Sequence, residues 1–235
     1  VYMVNSDPLP RSTSRALSTF RAFHSHNYRL LWPANFLTYI PMWIQMTMLG
    51  WMVLVLTDSP FLVALVGFFG WSPMLILGLV GGFIADTGRR KNILLATQLT
   101  NLVVSLAMIM LLMTESERFW HAYIAMILVG TSRALDMPSR RTLILDMLGR
   151  GGVANGIALD QVAMSASLAF GPALAGILIK TTGFAGGYVA IFIAYSVGLM
   201  LVWNLKIDFR KRNDLDGKGT TGDLLLGLRY VSGHR

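Results

Sequence analysis

Long apolar blocks without any Asp, Glu, Lys or Arg alternate with short polar breaks along this chain, and the basic residues collect at every second break. The charge-free blocks are Leu30 to Thr57, Ser59 to Ala85, Asn92 to Thr114, Gln161 to Ile179 and Thr181 to Leu205. About 20 apolar helical residues cross a hydrocarbon core, so each block is long enough to span one. A sixth segment from Phe119 to Met137 is weaker, because Arg133 and Asp136 interrupt its end. With 54% hydrophobic and only 14% charged residues, the chain lacks the polar surface of a water-soluble domain.

The net charge of +8 would point to nucleic acid in a soluble protein, so the placement of the basic residues decides. With the amino terminus inside, only Arg118 and Lys180 of the 20 Lys and Arg residues fall at outer turns, and the other 18 lie on the inner side. That is the positive-inside bias of a multi-pass membrane protein, and it argues against a nucleic-acid partner. Both ends are expected in the cytoplasm and the protein in the inner (plasma) membrane. Having no cysteine, the chain has no disulfide framework, thiolate metal site or cysteine nucleophile. Its four histidines are not paired at metal-ligand spacing. His-Glu-x-x-His and Gly-x-Ser-x-Gly are also missing, and neither a cofactor, a metal nor catalysis is expected.

The reading divides the chain into a cytoplasmic tail with an interfacial segment (1–28), a six-helix transmembrane domain (29–205) and a linker leading into an interfacial helix (206–235). The helices are placed at about 29–56, 61–85, 91–114, 119–138, 153–179 and 184–205, with a basic inner connection over 139–152. Gly70 and Pro73 interrupt the second helix, and Gly171-Pro172 the fifth. Matched breaks in corresponding segments are the mark of inverted three-helix repeats. The fold class expected is therefore an all-α membrane protein of six helices in two inverted triplets.

Several polar groups stand inside these spans. Ala163, Ser167, Gly171 and Ala175 recur every four residues, with Pro172 and Gly176 beside them in the same packing motif, a small-residue stripe that admits a neighbouring helix backbone closely. Asp160 shares that face and should point into the bundle, either as a proton carrier or as a structural partner of a helix end or an arginine; the structural role is the simpler. The first helix gathers Asn35, Tyr39 and Gln45 on one side, and the fourth gathers Tyr123, Met126 and Arg133. Such faces suit a cavity for an amphiphilic small molecule, or packing between helices. Arg133 and Asp136 are spaced to pair with each other, near the inner turn carrying Asp86, Arg90 and Lys91. These charges are read as an inner latch, as topological anchors, or as both.

Particular residues resemble a known family. Tyr28-Arg29-Leu30-Leu31-Trp32, the stretch Trp51 to Pro60, Gly82-Phe83-Ile84-Ala85-Asp86 with Arg90-Lys91, Asp136-Met137-Pro138 with Arg140, and Gly171-Pro172-Ala173-Leu174-Ala175-Gly176 resemble the major facilitator superfamily, within it the proton-driven multidrug and enterobactin-type exporters. Thr87, Arg89 and the upstream part of the helix 5 motif depart from the pattern. The resemblance implies twelve helices in two domains, of which this chain supplies one, and a missing carboxy-terminal six-helix domain as its partner. It implies outward transport of drugs or siderophores against proton entry, and for that coupling Asp160, read from the sequence itself, is the candidate residue. A lipid or lysolipid flippase on the same scaffold, and a six-helix membrane scaffold that transports nothing, are the alternatives.

Overall fold

Among the described residues, four α-helices follow a short 3-10 turn at Arg21–His24: α1 (His26–Thr57), α2 (Pro60–Asp86), α3 (Arg90–Met113) and α4 (Phe119–Trp203). This computed structural model describes the backbone of residues 21–86 and 90–205, and the side chains there except those of residues 21, 79–86 and 150. The tail at 1–20, most of the inner turn (87–89) and the linker with its interfacial helix (206–235) lie outside the described residues.

The helix ends follow from local chemistry. The first helix stops at Asp58, whose backbone is left-handed (φ 50°) and whose N–H reaches back to Leu54. The second begins on Pro60, a residue suited to the first helical position because its missing N–H would have no intrahelical partner. α4 is divided by two glycines, Gly149 (φ 65°, ψ −179°) and Gly183 (φ 71°, ψ −175°), a backbone region that is essentially reserved for glycine. They separate helical stretches over 119–148, 150–182 and 184–203.

This corrects the expected connection over 139–152. The chain stays helical through Pro138 as far as 148, and the break is confined to Gly149. Arg140, one of the basic residues of that connection, is paired with Asp136, and Asp146 with Arg90. Likewise the fifth helical stretch runs on to 182 rather than ending at 179.

Among the described residues, four stretches are long and apolar enough to cross a membrane: His26–Thr57, Pro60–Gly78, Arg90–Met113 and Gly151–Trp203. The 119–148 stretch is not among them, because its charges lower its hydropathy. α4 packs against α1, α2 and α3, which meet one another much less. Outside, the bundle is apolar: Phe61, Leu75, Ile76, Met113 and Trp203 are each 70% exposed or more. Inside, it holds Asn35, Gln45, Gln98, Ser105, Ser139, Arg140 and Ser167, all fully buried. A continuous apolar exterior of this kind is unfit for water, whereas lipid requires it.

Candidate functional site

Helical spacing brings polar residues from three helices to one place. Asn35, Thr38, Tyr39 and Met42 follow at intervals of three and four on α1, and Arg133, Asp136 and Arg140 do so on the first stretch of α4. From the second stretch Asp160 enters, and from α3 come Thr97, Gln98 and Asn101. All of these are buried except Arg133, which is partly buried.

Arg140 is the centre of the cluster and is completely enclosed. Its Nε and Nη2 both donate to the Asp136 carboxylate, the second at 3.1 Å. Nη2 also reaches the Thr38 hydroxyl at 3.0 Å, and Nη1 donates to the Asn35 side-chain oxygen. Thr97 donates to Asp136 Oδ1 at 2.9 Å, and Gln98 donates to Thr38, whose own proton goes to Ala34 O at 2.8 Å. The desolvation of a buried ion pair is offset only when its geometry is good and its remaining polar groups are hydrogen-bonded, and Arg140 with Asp136 meets that condition.

Asp160 is held differently. Asn35 Nδ2 donates to its Oδ1 at 2.6 Å, and the Tyr39 hydroxyl lies 3.1 and 3.2 Å from its two oxygens. Both donors are neutral. Asn35 uses both ends of one amide, so Asp160 is joined to Arg140 through a single side chain. Around this point α1 is pinned to the same stretch of α4: Tyr28 donates to Gly156 O at 2.8 Å and Trp32 Nε1 to Leu159 O at 3.0 Å.

Beside the network is a cavity lined by Thr38, Tyr39, Met42, Asn101, Val129, Arg133, Asp136, Met137, Met164 and Tyr195. Of the six residues expected to line a cavity, Tyr39 and Arg133 do so. Asn35 is behind the wall, bonded to Asp160 and Arg140. Gln45 is buried against Tyr188. Tyr123 donates its hydroxyl to Leu62 O at 3.0 Å, and Met126 belongs to the apolar core. For these four, packing between helices is what the fold displays.

Arg133 and Asp136 do not pair with each other. Arg133 turns to α2, donating Nη2 to Gly70 O at 2.5 Å with its guanidinium 3.8 Å above the Trp71 ring, while Asp136 finds Arg140 one turn along its own helix. The residues expected at an inner latch are likewise distributed. Arg90 binds Asp146, and Lys91 Nζ caps the end of α4 through Trp203 O at 2.7 Å and Leu205 O at 2.6 Å. Asp86 ends α2, with its side chain outside the described residues.

The small-residue stripe divides in two. Ala163, Ser167, Gly171 and Ala175 are buried, and a Cβ on Gly171 would come within 2.5 Å of Trp43 Cβ, so α1 approaches closely there. Pro172 is exposed, and Gly176 faces open space.

Arg140, Thr97, Gln98, Asn101, Asp146 and Tyr195 were not singled out as site residues from sequence. A signal existed for α3, where Thr97, Asn101 and Ser105 fall on one helical face of a charge-free span. Among the described residues, no group of three or more His, Cys, Asp or Glu side chains gathers to hold a metal ion.

Residues 17–235 match a family described as transmembrane secretion effector. The chain is also similar to the staphyloferrin A transporter of Staphylococcus aureus (strain NCTC 8325 / PS 47), at 23% identity over 173 residues. That alignment covers 72% of this chain and 43% of the relative, so the match spans less than half the length of that protein.

Proposed function

The chain belongs to the transmembrane secretion effector family of the major facilitator superfamily, and from that premise we propose that it forms one half of a secondary active transporter working by alternating access. In this reading six crossings form two inverted triplets, with both ends in the cytoplasm and a second six-helix domain completing the cavity. Lipid surrounds the bundle, and the transported molecules are amphiphilic small molecules of the drug or siderophore kind, exported from the inner membrane in exchange for protons. The name of the staphyloferrin A transporter supports a siderophore-like substrate.

One observation carries the reading: a buried carboxylate, Asp160, is held by neutral donors only and linked through Asn35 and Arg140 to Asp136 on the cavity wall. Protonating Asp160 turns one of its oxygens into a donor: on Oδ2 the proton can be taken up by the Tyr39 hydroxyl, and on Oδ1 it faces the Asn35 amide, which then has to turn. Since Asn35 also accepts from Arg140, the change passes to the pair bordering the cavity. Ionisable groups inside a membrane domain are costly unless they serve such a pathway or are tightly paired.

Tyr39 and Arg133 contact the substrate in this proposal, and Asn35, Gln45, Tyr123 and Met126 shape the wall from behind. Asp86, Arg90, Lys91 and Asp136 remain the proposed inner latch, extended by Asp146 through its bond to Arg90. Ser167, Gly171, Pro172, Ala175 and Gly176 are proposed as the packing seam of the fifth crossing.

The test is substrate flux in vesicles holding the complete protein under an imposed pH gradient. Flux driven by the gradient is expected, and Asp160→Asn should still bind substrate while its flux no longer follows the gradient. An unchanged pH dependence in that variant would remove Asp160 from the coupling role.

A further inference from the structure

We propose that the cavity accepts the anionic group of an otherwise apolar molecule, and that Arg133 is its receptor. This rests on the reading of the cavity as the substrate site and adds the sign of the substrate's charge.

Two charged residues line the cavity, Arg133 and Asp136. Asp136 is already committed, because both its oxygens accept from Arg140 and one also accepts from Thr97. Arg133 has no ion pair among the described residues. Its polar contacts are one backbone carbonyl, Gly70 O, and the Met42 sulfur at 3.7 Å from Nη1, and a thioether is only a weak acceptor. Arg133 Nε is buried with no hydrogen-bond partner. A guanidinium taken out of water without a counter-charge is costly, and the Trp71 face offsets only part of that.

Independent signs come from two other wall residues. Tyr195 is completely buried and its hydroxyl has no partner. Asn101 is 6% exposed, and its Oδ1 lacks a donor. Buried polar atoms are almost always satisfied, so unpartnered atoms on three residues around one cavity mark the position of something that completes them. A carboxylate fits Arg133 and the Tyr195 proton through charge-assisted hydrogen bonds, and a hydroxyl or amide N–H beside the acid would serve Asn101. Met42, Val129, Met137 and Met164 provide the rest of the wall, suited to an apolar body of variable shape. A cationic amphiphile meets the opposite situation, with Arg133 repelling it and Asp136 unavailable.

Three probes of one shape separate the possibilities: 2-naphthoate, 2-naphthamide and 2-naphthylmethylammonium. Their binding is measured by titration calorimetry on the complete protein in phosphatidylcholine nanodiscs, with empty nanodiscs subtracted. Naphthoate should bind about 10- to 100-fold more tightly than the amide, the range of one to two hydrogen bonds to a charged group, and the ammonium should bind most weakly. Arg133→Gln should bring acid and amide within about twofold, Arg133→Lys should keep part of the preference, and Tyr195→Phe should weaken the acid several-fold while hardly touching the amide.

Equal binding of acid and amide is what a cavity filled merely by water would give, and it would overturn the proposal. So would tighter binding of the ammonium, a preference that survives Arg133→Gln, or no binding of any probe at millimolar concentration. If Arg133→Gln does not fold, Tyr195→Phe and the probe series on the unaltered protein decide. Loss of gradient-driven flux with the acid preference intact would count against the transport reading alone.

Discussion

Asn35 donates its side-chain amide to Asp160 at 2.6 Å, joining α1 to the second stretch of α4 inside the bundle. The same side chain accepts from Arg140, so one neutral residue serves two charges of opposite sign. Replacing it with a residue of the same shape and no polar atoms leaves a hydrogen-bonding position empty on each.

Asn35→Leu should therefore lower stability by about 2–4 kcal/mol, since unmet buried groups cost about 1–3 kcal/mol each. Tyr39→Phe should cost less, about 1 kcal/mol, because Asp160 keeps its bond from Asn35. Reversible unfolding in mixed detergent micelles, followed by far-ultraviolet circular dichroism, compares the two. Equal effects would show that Asn35 has no bridging role.

Arg140 and Asp136 form a pair with strong mutual dependence. Removing one partner of a buried ion pair typically costs about 3–5 kcal/mol, whereas replacing both with apolar residues is often close to neutral. Arg140→Leu alone should fall in the destabilising range, and Arg140→Leu with Asp136→Leu should recover a large part of the loss. Thr38 and Asn35 lose a donor in both variants, which sets a limit to the recovery. The same unfolding assay, arranged as a double-mutant cycle, gives the coupling directly.

The spans of α1, α2 and α3 were legible because hydrocarbon thickness and absence of charge are properties of a sequence window. So was the inward direction of Asp160, which follows from helical angle once Ser167 and Gly171 define a packed face. The environment of Arg140 was not. Arg140 and Arg141 are adjacent, yet the first is fully buried and the second exposed, and hydropathy treats the two as one basic anchor. Only the positions of Asn35 and Thr38 on another helix distinguish them. The same limitation makes 139–152 read as a basic connection, and it pairs Asp136 with Arg133 although Arg140, about as close on the same helix, has the better geometry.

Gly171 and Gly176 looked alike in sequence as members of one small-residue motif, and the fold separates them. A Cβ at Gly171 would sit 2.5 Å from Trp43 Cβ, whereas one at Gly176 meets nothing within 4 Å. Gly171→Ala should thus destabilise by about 1–3 kcal/mol through overpacking against α1. Gly176→Ala should be neutral or stabilising by up to about 1 kcal/mol, because alanine favours the helix. Thermal unfolding midpoints of the two variants in the same micelles make the comparison.

The two breaks in α4 allow backbone strain to be tested apart from packing. At Gly149 and Gly183 a Cβ would meet nothing within 4 Å, so steric contact with other helices does not enter. What enters is the backbone, at φ 65° and 71° with ψ near 180°, where an L-residue costs about 1–3 kcal/mol. Gly149→Ala and Gly183→Ala should each lose about that much, despite the open space and despite alanine's higher helix propensity. Should the strain instead drive residue 149 or 183 into helical geometry, the neighbouring stretches of α4 would straighten into one rod. Distances between spin labels at exposed positions 145 and 157, measured across Gly149, would then lengthen. A variant that keeps both its stability and its label distance would show that these bends are set by tertiary packing and that glycine is not required at them.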